Sequence, residues 1–133
     1  DDPASIPGAI EEMLRRFPIA NLARKVIADC ELNGASLKAG EMILAPTVAY
    51  GLDDRKFDDP DTVDFTRQDK IHETFGDGAH RCMGSMLARI ELRVFLEEWL
   101  KRIPDFSVKP GATIQAIGAS VAGIHHLPLV WDV

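Results

Sequence analysis

Phe75-Gly76-Asp77-Gly78-Ala79-His80-Arg81-Cys82-Met83-Gly84 is the stretch that decides the fold. One cysteine sits on a glycine-rich loop with basic residues beside it. A strong helical pattern follows from Met83 onward. A helix beginning there aims free backbone N–H groups and the positive end of its dipole at the sulfur. That position favours a thiolate, and the thiolate is the form that binds metal. Gly76, Gly78 and Gly84 lack a Cβ, so a flat ligand can approach the backbone closely.

Working outward, Pro7 suits the first turn of a helix, because its missing N–H is not needed there. Ile10, Met13, Leu14 and Phe17 recur at helical spacing, and Pro18 ends the run. Glu12 and Arg15 are three apart and share a face. Taken alone they would be an ordinary surface pair of small worth. Strand-like Val26-Ile27-Ala28 and Cys30-Glu31-Leu32 lead to Asn33-Gly34, a hairpin signal. Ser36-Leu37 and Met42-Ile43-Leu44 follow, and Cys30 reads as a small buried hydrophobe. A short helical stretch runs from Pro46 toward Gly51. Residues 52–74 are polar with little periodicity, and a loop of that length in a compact domain is usually functional. After Cys82, the residues Met83, Met86, Leu87, Ile90 and Val94 form an apolar stripe that reads as core packing. The predicted helix ends near Arg102, before Pro104. Two strand-like runs, 114–117 and 127–131, flank a bend at 118–123.

The loop resembles the haem-binding loop of the cytochrome P-450 monooxygenases, F-G-x-G-x-H-x-C-x-G, at every fixed position. The fold this implies is mainly α with small β-sheets. It comprises an E-x-x-R helix, a small sheet, a meander, the cysteine loop, a proximal helix and a C-terminal β-hairpin. By this resemblance Cys82 is the proximal ligand of haem b (iron protoporphyrin IX), where a thiolate favours O–O cleavage. His80 would bond a haem propionate, Phe75 would pack near porphyrin and sulfur, and Gly76 and Gly84 would line the cofactor. Glu12 and Arg15 match the E-x-x-R pair, and Phe65-Thr66-Arg67 matches the aromatic-x-Arg element, so Arg67 would complete a buried charge network. The segments 102–106 and 127–132 look most like the bacterial camphor-hydroxylating branch. In that branch the position of Arg24 binds a propionate, a role suited to its planar fork. Ala20 and Asn21 would lie near the substrate, as would Val121 on the C-terminal hairpin.

The implied reaction is oxygen insertion into an unactivated C–H bond of a small hydrophobic substrate, using O2. Electrons would come from an iron–sulfur ferredoxin, with Arg81 and Arg89 as basic contacts and Met83 as an apolar one. The resemblance makes residues 1–133 the C-terminal haem-binding portion of one monooxygenase domain. The oxygen-activating helix with its acid–threonine pair has no match here, so the chain alone is expected to lack turnover. The alternative is a haem-free structural fragment that self-associates through exposed apolar surface.

Composition narrows the field further. The chain has 133 residues, enough for one modest core. A net charge of −6 disfavours nucleic acid as a partner. No apolar run reaches the length of a membrane span, and two cysteines make no disulfide scaffold, so a reducing cytoplasm is the expected setting, which the resemblance to the bacterial branch makes a bacterial one. Zinc is disfavoured because there is no C-x-x-C and no spaced histidine pair. A Cys82–His80 nucleophile pair is disfavoured because a base two residues away on a tight loop aligns poorly. Covalent haem attachment would need C-x-x-C-H, which is lacking.

Overall fold

A computed structural model describes residues 2–118 and 120–132. After a 3-10 turn at Pro3–Ser5, helix α1 spans Ile6–Arg16. Pro7 sits in its first turn, and Arg15 and Arg16 complement the dipole in its last. Strand β1 (Asn21–Lys25) pairs antiparallel with β4 (Met42–Pro46), with Ala23 opposite Leu44 and Arg24 opposite Ile43. Between them, β2 (Cys30–Leu32) and β3 (Ala35–Leu37) form a separate hairpin. Its Asn33-Gly34 turn has φ of 48° and 82°, the doubly positive geometry of a type I′ turn. Helix α2 (Thr47–Gly51) follows β4 directly.

Residues 52–74 contain only turns, held by hydrogen bonds to the helices. Helix α3 runs Ser85–Arg102 and packs against α1. Two further hairpin-like sheets close the chain: β5 (Ser107–Val108) with β8 (Leu129–Val130), and β6 (Gln115–Ile117) with β7 (Gly123–His126). Trp99 of α3 makes edge-to-face contacts with Phe106 and Trp131, at 5.7 and 6.1 Å between ring centres. That cluster pins the β5–β8 sheet to the end of the helix.

Several expectations change. The first strand is Asn21–Lys25 rather than 26–28, because its ladder runs with β4 and leaves Val26 buried at its end. Met42–Leu44 therefore pairs with β1 and not with the 35–37 strand. Cys30 is exposed, since its hairpin projects outward and all of β2 faces solvent. The bend at 118–123 includes Ala119, which lies outside the described residues. On α1 the expected apolar stripe holds only at Ile10, while Met13 and Phe17 are about half exposed. The largest fully buried side chains are instead Arg15 and Glu12. On α3 only Ser85 is buried, and Met86, Leu87, Ile90 and Val94 remain 47% exposed or more. The stripe is apolar as read, but it is not core within this chain. The helix also begins two residues later than expected, with Gly84 as its N-cap.

Candidate functional site

The site is built from three pieces: the charged end of α1, the 52–74 segment that wraps it, and the loop 75–84. Glu12 and Arg15 form a two-pronged ion pair, Arg15 Nε to Glu12 Oε2 and Nη2 to Oε1, each 2.8 Å. Neither side chain reaches solvent. Arg15 spends its remaining donors on carbonyls of the wrapping segment: Gly51, Pro60 at 3.0 Å and Thr62 at 3.2 Å. Its guanidinium lies over the buried Phe57 ring, 5.1 Å from the centroid. Arg67 joins this pair, donating from Nε to Glu12 at 3.3 Å and to the carbonyls of Asp58, Asp59 and Thr62. The Asp64 N–H also donates to Glu12 at 3.0 Å.

No buried side-chain polar atom among the described residues lacks a partner. That satisfaction is what makes a buried ion network tolerable. Burial alone would raise the Glu12 carboxyl. Bonds from Arg15, the Asp64 N–H and Arg67 outweigh it and pull the group down to about 2. A long irregular segment is thereby tied at several carbonyls to one helix face.

The segment delivers the chain to Phe75. The loop then turns through Gly76 and Gly78, whose φ values of 69° and 63° are unfavourable for any residue with a Cβ. His80 ends a short 3-10 turn, Gly78–His80, and is exposed. The loop closes where the Cys82 N–H donates to the Phe75 carbonyl at 2.8 Å. Cys82 is exposed, just ahead of the α3 N-terminus, and its carbonyl accepts the Ser85 N–H at 3.3 Å. Met83 beside it is fully exposed. A Cβ on Gly84 would lie 3.7 Å from the Cys82 sulfur, so glycine keeps that flank of the sulfur clear.

Strand β1 lies against the same loop. A Cβ on Gly76 would sit 3.6 Å from the Leu22 side chain. Alternation along the strand puts Ala20, Leu22 and Arg24 on that face and Asn21 on the other. Arg24 is exposed, and its guanidinium bonds the neighbouring Ala23 carbonyl at 2.8 Å. The C-terminal hairpin reaches the start of β1. Ala20 and Val121 form an antiparallel bridge, Asn21 N–H donates to the Ser120 carbonyl, and Ala122 N–H donates to the Ile19 carbonyl. Ala20, Asn21 and Val121 are thus neighbours at the start of β1.

Arg89 departs from its expected role. It is half-buried between α3 and α1 and grips Glu11 through Nε at 2.6 Å and Nη2 at 2.9 Å, so it is not an open basic contact. Glu11 and His72 were missed by the sequence reading. The Glu11-Glu12 doublet was the available signal, since adjacent helical residues point about a quarter-turn apart and can serve two networks.

The donor set fits an iron porphyrin. One exposed sulfur at a helix N-terminus, flanked by glycine, can supply the single protein ligand such a cofactor needs. Among the described residues no group of three or more His, Cys, Asp or Glu side chains is arranged to hold a bare metal ion. No helix among them is long and apolar enough to cross a membrane.

Comparison with known proteins gives the same answer. The family model described as Cytochrome P450 matches residues 6–125. A probable cytochrome P450 127A1 of Sinorhizobium fredii is 37% identical over 131 residues, covering 98% of this chain and 32% of that protein. A steroid C26-monooxygenase of Mycolicibacterium smegmatis is 39% identical over 128 residues, covering 95% of this chain and 32% of its own length. The crystal structure of CYP101J2 superposes with a TM-score of 0.91 at 41% identity, over 99% of this chain and 34% of that one. That of CYP101C1 also gives 0.91, at 39% identity, over 98% and 34%. The chain spans about a third of the length of the relatives it matches. With the family model matching residues 6–125 and relatives of this identity matched over nearly the whole chain, the chain belongs to the cytochrome P450 family.

Proposed function

We propose that this chain is the haem-thiolate portion of a bacterial monooxygenase, with Cys82 as the proximal ligand of haem b. The observation that carries the reading is the exposed Cys82 sulfur at the head of α3, its backbone fixed by the Phe75 carbonyl and its flank kept open by Gly84. When bound, the haem supplies oxygen activation, and a thiolate ligand favours O–O cleavage. The chain's own residues bind, orient and shield. Phe75 packs near sulfur and porphyrin, and Gly76 and Gly84 admit the macrocycle edge. His80 and Arg24 take the propionates; among the described residues no acid pairs with Arg24, which shares the face of β1 that meets Gly76. Glu12, Arg15 and Arg67 hold the wrapping segment that delivers the loop.

The substrate side is where Ala20 pairs with Val121, with Asn21 next along the strand joined to the hairpin through its backbone. The substrate is a small hydrophobic molecule hydroxylated with O2. Relatives named steroid C26-monooxygenase and vitamin D3 dihydroxylase favour an apolar compound. Electrons come from an iron–sulfur ferredoxin, met by exposed Arg81 and Met83 in a bacterial cytoplasm. Residues 1–133 act as one part of a single monooxygenase domain, without turnover by themselves.

The test is a carbon monoxide difference spectrum of the reduced, haem-supplied chain. A strongly red-shifted Soret band is expected, and Cys82→Ser should abolish it. Absence of that band in the unaltered chain, or its survival in the variant, overturns the reading.

A further inference from the structure

A second charge network, separate from the Glu12 cluster, joins α1, α3 and the segment entering the cysteine loop. Both Glu11 oxygens are used on Arg89, at 2.6 and 2.9 Å. Oε2 also lies 3.2 Å from Nε2 of His72, whose side chain is only 3% exposed. The His72 Nδ1 accepts the Thr74 N–H at 3.3 Å, which assigns the ring proton to Nε2 and makes Glu11 its acceptor. Thr74 in turn donates its hydroxyl to the Leu14 carbonyl at 2.6 Å, fastening the same segment to α1.

These contacts converge on one ring. The Arg89 guanidinium stands 4.8 Å from the Phe75 centroid, and the His72 ring is 6.2 Å from it. Phe75 is the residue whose carbonyl accepts the Cys82 N–H. A single carboxylate therefore fixes the cation and the imidazole that bracket the residue anchoring the cysteine. Arg89 Nη1 also donates to the Ser85 carbonyl of its own helix at 3.2 Å, and the bidentate pair with Glu11 supplies the two shorter bonds that set the guanidinium plane against the ring.

We propose that Glu11, acting through Arg89, is a positioning residue for the Cys82 loop, an inference that rests on the haem-thiolate reading for its functional consequence. The charge balance agrees with it. Burial alone would raise the Glu11 carboxyl, yet the bonds from Arg89 and His72 bring it below its ordinary value. Arg89 is raised, chiefly by its bond to Glu11.

The experiment is amide hydrogen exchange on the whole chain, read at Cys82 with the β1–β4 ladder as internal control. Glu11→Gln keeps the shape and removes the charge. It should speed Cys82 exchange about tenfold, within the range for residues sharing a network, and leave the ladder unchanged. Arg89→Lys, which keeps charge but loses the planar fork, should shift Cys82 in the same direction by less. An unchanged Cys82 rate, or equal acceleration at Cys82 and in the ladder, overturns the proposal.

In the haem-supplied, reduced, carbon monoxide-treated chain, Glu11→Gln should lose part of the red-shifted band and Glu11→Asp should restore it. If the unaltered chain shows no such band, the thiolate reading fails, and with it the functional role given to Glu11. If the band is present and Glu11→Gln leaves it intact, only the positioning role fails.

Discussion

Gly51 and Arg15 meet with no space between them. The Gly51 carbonyl accepts a hydrogen bond from Arg15 Nη1, and a Cβ on Gly51 would stand 2.1 Å from the Arg15 carbonyl oxygen. No side chain can be accommodated there without moving α2 away from α1. Gly51→Ala is therefore expected to destabilise the chain by about 3 kcal/mol or more, seen as a lower urea midpoint. Gly34 offers the contrast. Its φ is positive but nothing lies within 4 Å, so Gly34→Ala should cost only the backbone term of about 1–2 kcal/mol. Equal losses at the two sites would contradict the packing described for Gly51.

The Glu12 network predicts a direction for acid sensitivity. Glu12 titrates near 2 when folded, against an ordinary value of 4.5. The unfolded chain therefore binds the proton first as pH falls. The stabilisation is complete above about 4.5 and disappears as pH approaches 2, on the order of 3 kcal/mol in all. His72 acts in the same sense. Burial chiefly, with Arg89 nearby, holds it below its ordinary 6.5 despite Glu11, so stability begins to decline as pH drops below that value. Urea midpoints measured from neutral pH downward should fall monotonically, and a rise on acidification would count against both assignments.

Removing the basic partner is a separate matter from protonating the acid. Arg15→Met leaves the buried Glu12 with only the longer Arg67 bond and the Asp64 N–H to balance its charge, and takes the guanidinium donors away from the carbonyls of Gly51 and Pro60. A loss of about 3–5 kcal/mol is expected, enough to prevent folding of a small chain. Arg16→Met removes the exposed link to Asp61 and the guanidinium contact with the half-exposed Phe17 ring, and should cost about 1 kcal/mol. Thermal unfolding of the two variants side by side makes the comparison.

Gly84→Ala separates haem fit from fold. The Gly84 φ is −81°, so an alanine there is unstrained, and stability should change by no more than about 1 kcal/mol. The added methyl would nevertheless occupy the flank of the Cys82 sulfur at 3.7 Å. Haem affinity, read by Soret titration, should fall while the unfolding midpoint holds. A normal titration would show that this flank is not where the macrocycle comes.

The cysteine loop and the E-x-x-R pair were legible because each is a local pattern with a local mechanism. Gly76 and Gly78 do adopt positive φ, and Glu12 and Arg15 do share a helix face. Asn33-Gly34 made its hairpin for the same reason. What escaped notice depends on partners distant in sequence. The burial of Arg15 is decided by carbonyls 36 to 47 residues away, so hydrophobic periodicity on α1 pointed to the wrong face. Arg89 looked like surface charge until Glu11, 78 residues earlier, met it. The stripe on α3 shows which side is apolar, but periodicity cannot say what lies against it. Strand β1 was misplaced by a few residues because its limits are set by pairing with β4 and not by its own composition.

X-ray absorption at the iron edge of the haem-supplied chain tests the central claim most directly. One sulfur neighbour in the first coordination shell is predicted, lost on Cys82→Ser. A shell of nitrogen and oxygen alone in the unaltered chain would contradict the assignment of Cys82.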